Sequence, residues 1–392
     1  MPVHPSAQSP EAGPAGLVDH HCHGVVRRDL DRTGFELLLT EAGPLGPASG
    51  SVFDSQIGFA VRRWCAPLLD LEPHAAPDDY LARRAELGHA AVTARFLRAA
   101  GLSALCVDTG FEPEPLLSPR RLGEEAGAAA YEIVRLEHVA EQTAPGATAA
   151  GFADAVRARL AEHARTAVGF KSIAAYRHGL ALAPERPSAA QVSAAAGRWL
   201  ARESGRGDVD GRVPRLSDET LHRFLVWCAV DLALPVQFHV GYGDADVNLD
   251  RCDPLLLTPL LRAIEPTGVP VLLLHNYPFH RHAGFLAQVF SNVFLDVGLA
   301  THNLGRASRT LVAEALELAP FGKFLYSSDA FGLPELYYLG AALFRRALAA
   351  FLDAGVEDDA WSAADAARVA RLIASQNAHR VYRLEPQRLA AR

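Results

Sequence analysis

The sequence predicts an α/β chain folded as a (β/α)8 TIM barrel with helical cap insertions after strands one and four. Three observations carry that expectation. Short β-like runs alternate with Ala- and Leu-rich helical stretches along 392 residues, the pattern of βα units around a parallel sheet. Eight such runs can be read, enough to close a barrel. A Gly-x-Gly-x-x-Gly turn after the first run, which an open dinucleotide-binding sheet would carry, is missing from the sequence.

Residues 1–15 are rich in Pro, Ala, Ser and Gly and lack the basic-then-apolar order of a signal peptide, so they read as a flexible tail. The barrel domain is read as 16–392. Its strand candidates are 16–23, 104–109, 133–137, 168–173, 235–240, 269–275, 293–297 and 324–328. Two connections exceed ordinary barrel loops. One, 25–88, carries Phe53, Phe59, Trp64 and Cys65; the other, 176–217, has a Pro-rich piece, an Ala-rich helix ending near Arg202 and a polar stretch over 204–212. Both leave the carboxyl ends of their strands, where barrel active sites lie. They predict a cap over the pocket, with surface decoration or an oligomer contact as the competing reading of their distal parts. Residues 360–384 read as helices closing the outside of the barrel.

Composition narrows the function classes. Apolar residues make up 49% and charged residues 21% of the chain, which supports a large core. A net charge of −7 argues against nucleic-acid or acidic-membrane partners. No run approaches the roughly 18 to 20 apolar residues of a membrane span. Five widely spaced cysteines suit a reduced interior better than a disulfide framework. The expectation is a soluble cytoplasmic protein acting on a small-molecule substrate, with symmetric homo-oligomer formation open.

The chemistry is concentrated at strand ends. In Asp19-His20-His21-Cys22-His23, strand alternation would project Asp19, His21 and His23 to one face. Two imidazoles so spaced can hold one divalent ion. Four later runs also end in a metal-capable side chain: Lys171, His239, His275 and Asp329. In a barrel those ends surround one cavity. Neutral imidazole and carboxylate suit Zn²⁺, with Mn²⁺ or Fe²⁺ also compatible. Such an ion lowers the pKa of a bound water to about 7.

This ordered set resembles the amidohydrolase superfamily of metal-dependent TIM-barrel hydrolases from Gly16 onward. The segments Gly169 to Arg177, His302 to Arg306, Ser327 to Ala330, and Pro334-Glu335 are similar to the amidohydrolase-type region found fused ahead of glutamine-synthetase domains. The resemblance implies hydrolysis of a C–N, amide-type bond, with Asp329 both ligating metal and shuttling a proton. It also implies a binuclear centre, in which a carbamate on Lys171 bridges two ions and His239 and His275 serve the second. The competing form is a single metal, with Lys171 an ammonium that pairs with a substrate carboxylate. A cation beside Zn²⁺ is electrostatically costly, which argues for the bridge. The alternative function is a mononuclear metal-dependent decarboxylase or lyase of a small carboxylic acid. A non-catalytic binding module is disfavoured by the retained ligand set. The fused relatives suggest a glutamate-derived or nitrogen-containing substrate.

Candidate substrate contacts are Tyr176, Arg177, His302, Arg306 and Glu335. Arg177 could grip a carboxylate through its planar fork or tie down the cap by a salt bridge. Glu335 could bind an ammonium or cap a helix. Arg135 and Glu137 read as a buried pair pointing inward. Asp19 reads as a hydrogen-bonding support behind the ligands. His20 and Cys22 are expected to face the surrounding helices, and His280 and His282 to face solvent. Phe53, Phe59 and Trp64 are read as cap core or as an apolar wall over the metal.

Overall fold

A computed structural model describes residues 16–42, 50–205 and 214–384. The expected tail over 1–15 and most of the polar stretch 204–212 lie outside the described residues. Seven parallel strands follow one another in spatial order: β1 (Leu17–Cys22), β2 (Leu102–Asp108), β3 (Ala129–Arg135), β4 (Gly169–Ser172), β5 (Val236–Val240), β6 (Val271–His275) and β7 (Val293–Leu295). The eighth run, 324–328, is extended but pairs only through an isolated bridge, Leu295 with Phe324. It still closes the ring. The Leu325 N–H donates to Leu295, while Tyr326 and His21 carbonyls accept from His20 and Asp329. The chain is therefore an α/β barrel of the TIM type.

Strands buried on both faces read as continuous apolar runs, and the two faces separate cleanly. Leu105, Phe238 and Leu273 pack outward against helices. Val18, Ala104, Cys106, Leu272 and Leu274 fill the interior. The closing helices were expected outside. The helix Ala363–Arg371 does pack on the long helix Pro334–Glu357. The last helix, Asn377–Tyr382, instead plugs the interior, because Ala378, Val381 and Tyr382 join the inner cluster. β3 also starts and ends earlier than 133–137. Helix Leu136–Thr143 begins immediately after Arg135, so Glu137 is helical and not part of the strand.

The first strand departs from regular alternation. Asp19 pairs with Leu105 and Cys22 with Val107, so His20 and His21 together oppose the single residue Cys106. This is a β-bulge. It turns both histidines inward and puts Asp19 on the other face, where its carboxylate accepts from the Ser328 N–H and hydroxyl. The expected positions of Asp19 and His20 are thus exchanged. Cys22 is core, as expected, with its thiol near the Cys106 carbonyl.

The first insertion is helical: Arg32–Leu38, Gln56–Ala60 and a run of tight turns to Leu69 precede the helix Pro77–Ala100. Proline opens that helix and Gly101 closes it in the left-handed conformation. Gly88 breaks it with φ of 74°. Phe53 stacks on Phe35 inside this cap, whereas Phe59 is exposed. Phe53 is cap core, and none of the three aromatics lines the cavity. The second insertion contains helix Ala189–Gly205 and returns to helix Glu219–Asp231, whose N-terminus is capped by the Asp218 carboxylate. All five cysteines are buried and free. Among the described residues no helix is long and apolar enough to cross a membrane.

Candidate metal centre

The strand ends bring their imidazoles to one aspartate. Asp329 Oδ1 lies 3.0 Å from His21 Nε2 and 3.4 Å from His23 Nε2, and Oδ2 lies 3.5 Å from His275 Nε2. Lys171 Nζ is 3.2 Å from His21 Nε2. The His239 ring stands 4.6 Å from that of His275. Local backbone explains how His275 reaches in. Leu274 already faces the interior, so a regular strand would turn His275 outward. His275 and Asn276 instead adopt φ of 70° and 60°, and Asp329 has φ of 52°. Such left-handed geometry in non-glycine residues costs of order 1–3 kcal/mol each and clusters at functional sites.

Burial sets the protonation states. It lowers the His21 pKa to about 4 and holds His239 and His275 well below the ordinary imidazole range. Burial pushes the Asp329 carboxyl up, but the surrounding histidines overcome it and keep the group well below the carboxylate range. Burial also lowers Lys171 to about 8. The result is neutral imidazoles around an anion.

The donor set fits a metal ion. Both ring nitrogens of His275 and Oδ1 of Asp329 are buried without a well-directed hydrogen bond. Each such orphan costs about 1–3 kcal/mol, and a cation would satisfy one His275 nitrogen and the Asp329 oxygen at once. His21, His275 and Asp329 each offer an atom within 4.8 Å of the others. His21, His23 and Asp108 form a second overlapping set. His239 donates from Nε2 to the Tyr242 carbonyl at 3.1 Å, which leaves Nδ1 as its ligand atom.

A cavity of about 210 Å³ opens over these atoms. Tyr176 and Arg177 line it, with His23, Lys171, His239 and Asp329. The Tyr176 ring packs 4.4 Å from that of His239. Gly243 permits this approach, since a Cβ there would stand 2.3 Å from the Tyr176 hydroxyl. Arg177 sits 3.3 Å from Glu141, which accepts from the Leu216 N–H at the end of the second insertion. Its guanidinium therefore ties the cap while facing the cavity.

Three expected substrate contacts fall elsewhere. Glu335 is fully buried, accepting from Arg84 at 2.8 Å and Tyr80 at 3.1 Å. A buried carboxylate needs a cation, and the first insertion supplies it, so Glu335 ties cap to barrel. Arg306 is exposed, with its N–H donating to Gln56. His302 is buried outside the cavity wall, its Nδ1 unpartnered and its pKa lowered to about 4 by burial. Arg135 and Glu137 are not partners. Arg135 grips Asp108 through Nε and Nη2, and Glu137 accepts from Ser172 and faces His222. His280 is buried against Glu314, not solvated.

Several residues in or beside the cavity escaped the sequence reading. Asp108 ends β2 and could have been found by the strand-end logic that found His239. Phe111 and Phe331, with ring centroids 5.1 Å apart, make the apolar wall beside His23. Glu41 and Asp244 form an acidic part of the lining; both lie in irregular segments where no periodicity marks them.

No family model matches the chain. Protein fluG of Emericella nidulans is 33% identical over 232 residues, which cover 56% of this chain and 26% of that protein. The chain thus matches about a quarter of that relative's length. Uronate isomerase from Thermotoga maritima (13% identity, TM-score 0.58, 94% and 95% of the two chains) and glucuronate isomerase from Caulobacter crescentus (14%, 0.60, 97% and 93%) share the fold. A crystal structure from Lactobacillus casei ATCC 334, provisionally classed as a metal-dependent hydrolase, is 30% identical over 95% of this chain and 96% of its own, with a TM-score of 0.82. The chain belongs to the family of this Lactobacillus casei protein, that of a metal-dependent hydrolase on a TIM-barrel fold.

Proposed function

We propose that the protein is an amidohydrolase-type enzyme that cleaves a C–N, amide-type bond of a small molecule. The observation that carries this reading is the convergence of His21 and His23 from β1 on the buried, unpartnered atoms of His275 and Asp329 beside one cavity. His21, His23, His239, His275 and Asp329 would hold the metal, Zn²⁺ by preference, with Lys171 bridging two ions if carboxylated. When bound, the metal supplies Lewis acidity and acidifies water. Asp329, kept ionised at neutral pH, is the acceptor for the proton released by water and its donor to the leaving nitrogen. Lys171 is largely protonated at pH 7, yet close enough to its lowered pKa to expose a reactive amine fraction to CO₂. Phe111 and Phe331 exclude water on one side. Tyr176 and Arg177 orient the substrate on the other. Asp244 and Glu41, whose carboxyl burial pushes up to about 8, offer acceptors to a substrate that carries a cationic nitrogen.

The test combines elemental analysis with turnover of a panel of N-acyl amino acids and γ-glutamyl amides. Two ions per chain, a carbamate on Lys171 and amide hydrolysis abolished by Asp329→Asn are expected. One ion, a free Lys171 amine and CO₂ release from a carboxylic acid would replace this reading by the lyase one.

A further inference from the structure

Beneath the ligand layer a buried hydrogen-bond chain crosses the barrel. His21 Nδ1 lies 2.9 Å from Gln237 Oε1. The Gln237 amide donates to the His20 carbonyl at 2.9 Å and to the Tyr382 hydroxyl at 2.7 Å. Both amide hydrogens are then committed, and Oε1 can only accept. The His21 proton therefore sits on Nδ1, which leaves Nε2 as a lone pair facing the cavity. The Tyr382 hydroxyl, already accepting, donates to His20 Nδ1 at 2.9 Å. His20 Nε2 reaches to 2.9 Å from Asp296 Oδ2 along a bent path, and Asp296 Oδ1 accepts from the backbone N–H of His275 and of Gly298. The chain runs from one ligand side chain to the backbone of another. All five of its side chains are buried. Tyr382 is its one member from outside the barrel wall, the last residue of helix Asn377–Tyr382.

We propose that this C-terminal helix sets the metal affinity of the centre, with Tyr382 as the positioning residue that fixes the His21 tautomer through Gln237. The inference rests on the metal-centre reading above. Without the Tyr382 hydroxyl, the Gln237 amide keeps one acceptor of two, the His20 carbonyl, and its weakened hold lets a fraction of the chains turn the NH₂ toward His21 Nδ1. The imidazole proton then moves to Nε2, where it blocks ligation. Outer hydrogen bonds of this kind are worth about 10- to 100-fold in metal affinity.

The test titrates Co²⁺ into the metal-free full chain and reads both affinity and the visible absorption of the bound ion. Wild type binds, and Tyr382→Phe binds about 10- to 100-fold more weakly with a shifted spectrum and an unchanged far-UV circular dichroism. Tyr326→Phe is the control, since its hydroxyl is buried without a partner; it leaves affinity and spectrum unaltered. Should Tyr382→Phe fail to fold, Gln237→Met, which removes the acceptor itself, must show the same loss. Wild-type affinity and spectrum in a folded Tyr382→Phe or Gln237→Met chain overturns the proposal, as does an equal loss in Tyr326→Phe. A wild-type chain that takes up no Co²⁺ overturns the metal centre itself.

Discussion

At the closed end of the barrel, His20, Gln237 and Tyr382 bond to one another, with only the bent His20–Asp296 contact imperfect, whereas at the open end both His275 nitrogens and an Asp329 oxygen are unpaired. Both layers lie inside the one barrel, the open one keeping 11% of the Asp329 side chain exposed to the cavity. A polar network in the interior rigidifies when every member is bonded and is costly when it is not. The closed end therefore contributes order to the fold, and the open end presents donor atoms that suit a cation. The contrast separates residues that hold the fold from residues that do the chemistry, and each side makes its own predictions.

The largest effect belongs to the open end. Asp329→Asn should lower kcat by about 10²- to 10⁴-fold on any small amide the protein turns over, while circular dichroism stays native. Normal turnover in that variant would erase the distinction. On the stability side, Arg84→Met strands the Glu335 carboxylate and should cost about 3–5 kcal/mol in urea denaturation. His275→Asn in the metal-free chain should cost far less, because it breaks no hydrogen bond of the His275 side chain. If the order is reversed, the open end is structural after all.

Acid sharpens the comparison. Burial lowers His21 and His302 from the ordinary 6.5 to about 4, so the unfolded chain takes up protons first as pH drops. The stability these two groups contribute is complete above pH 6.5 and disappears as pH falls to about 4, on the order of 3 kcal/mol for each. Denaturation of the metal-free chain at pH 7, 6 and 5 should follow that slope, and His302→Phe should flatten it. Metal removal comes next. An ion present at a hundred times its Kd stabilises by about 2.7 kcal/mol, so a chelator should lower Tm, and Zn²⁺ should restore it in wild type but not in His21→Ala. The smallest effect is expected on the cavity wall, where Asp244→Asn should raise KM for a cationic substrate about tenfold, some 1.4 kcal/mol, with kcat nearly unchanged.

The strand-end logic picked out side chains that the structure brings together because a barrel maps sequence order onto one ring. His21, His23, Lys171, His239, His275 and Asp329 each close an apolar run, and the runs are visible in the chain. What it missed depended on breaks in periodicity or on distant pairing. The bulge that exchanged Asp19 and His20 has no signature in an apolar-polar pattern, since two adjacent histidines look alike whichever way they point. Glu335 reads as a pocket residue until Arg84, some 250 positions earlier, is known to lie against it. Arg135 and Glu137 looked like partners only because a helix start was read as strand. The interior position of Tyr382 was hidden because a short C-terminal helix looks the same whether it lies on a barrel or under it.

The extra residue in β1 also has a consequence for redesign. Removing His20 would restore strict two-residue alternation, with Val18, His21 and His23 inward and Asp19 and Cys22 outward. The ligand pair would keep both its direction and its register, with His21 opposite Cys106 and Cys22 still opposite Val107. A one-codon deletion would thus cut the buried link through His20 without moving the two histidines of the metal seat.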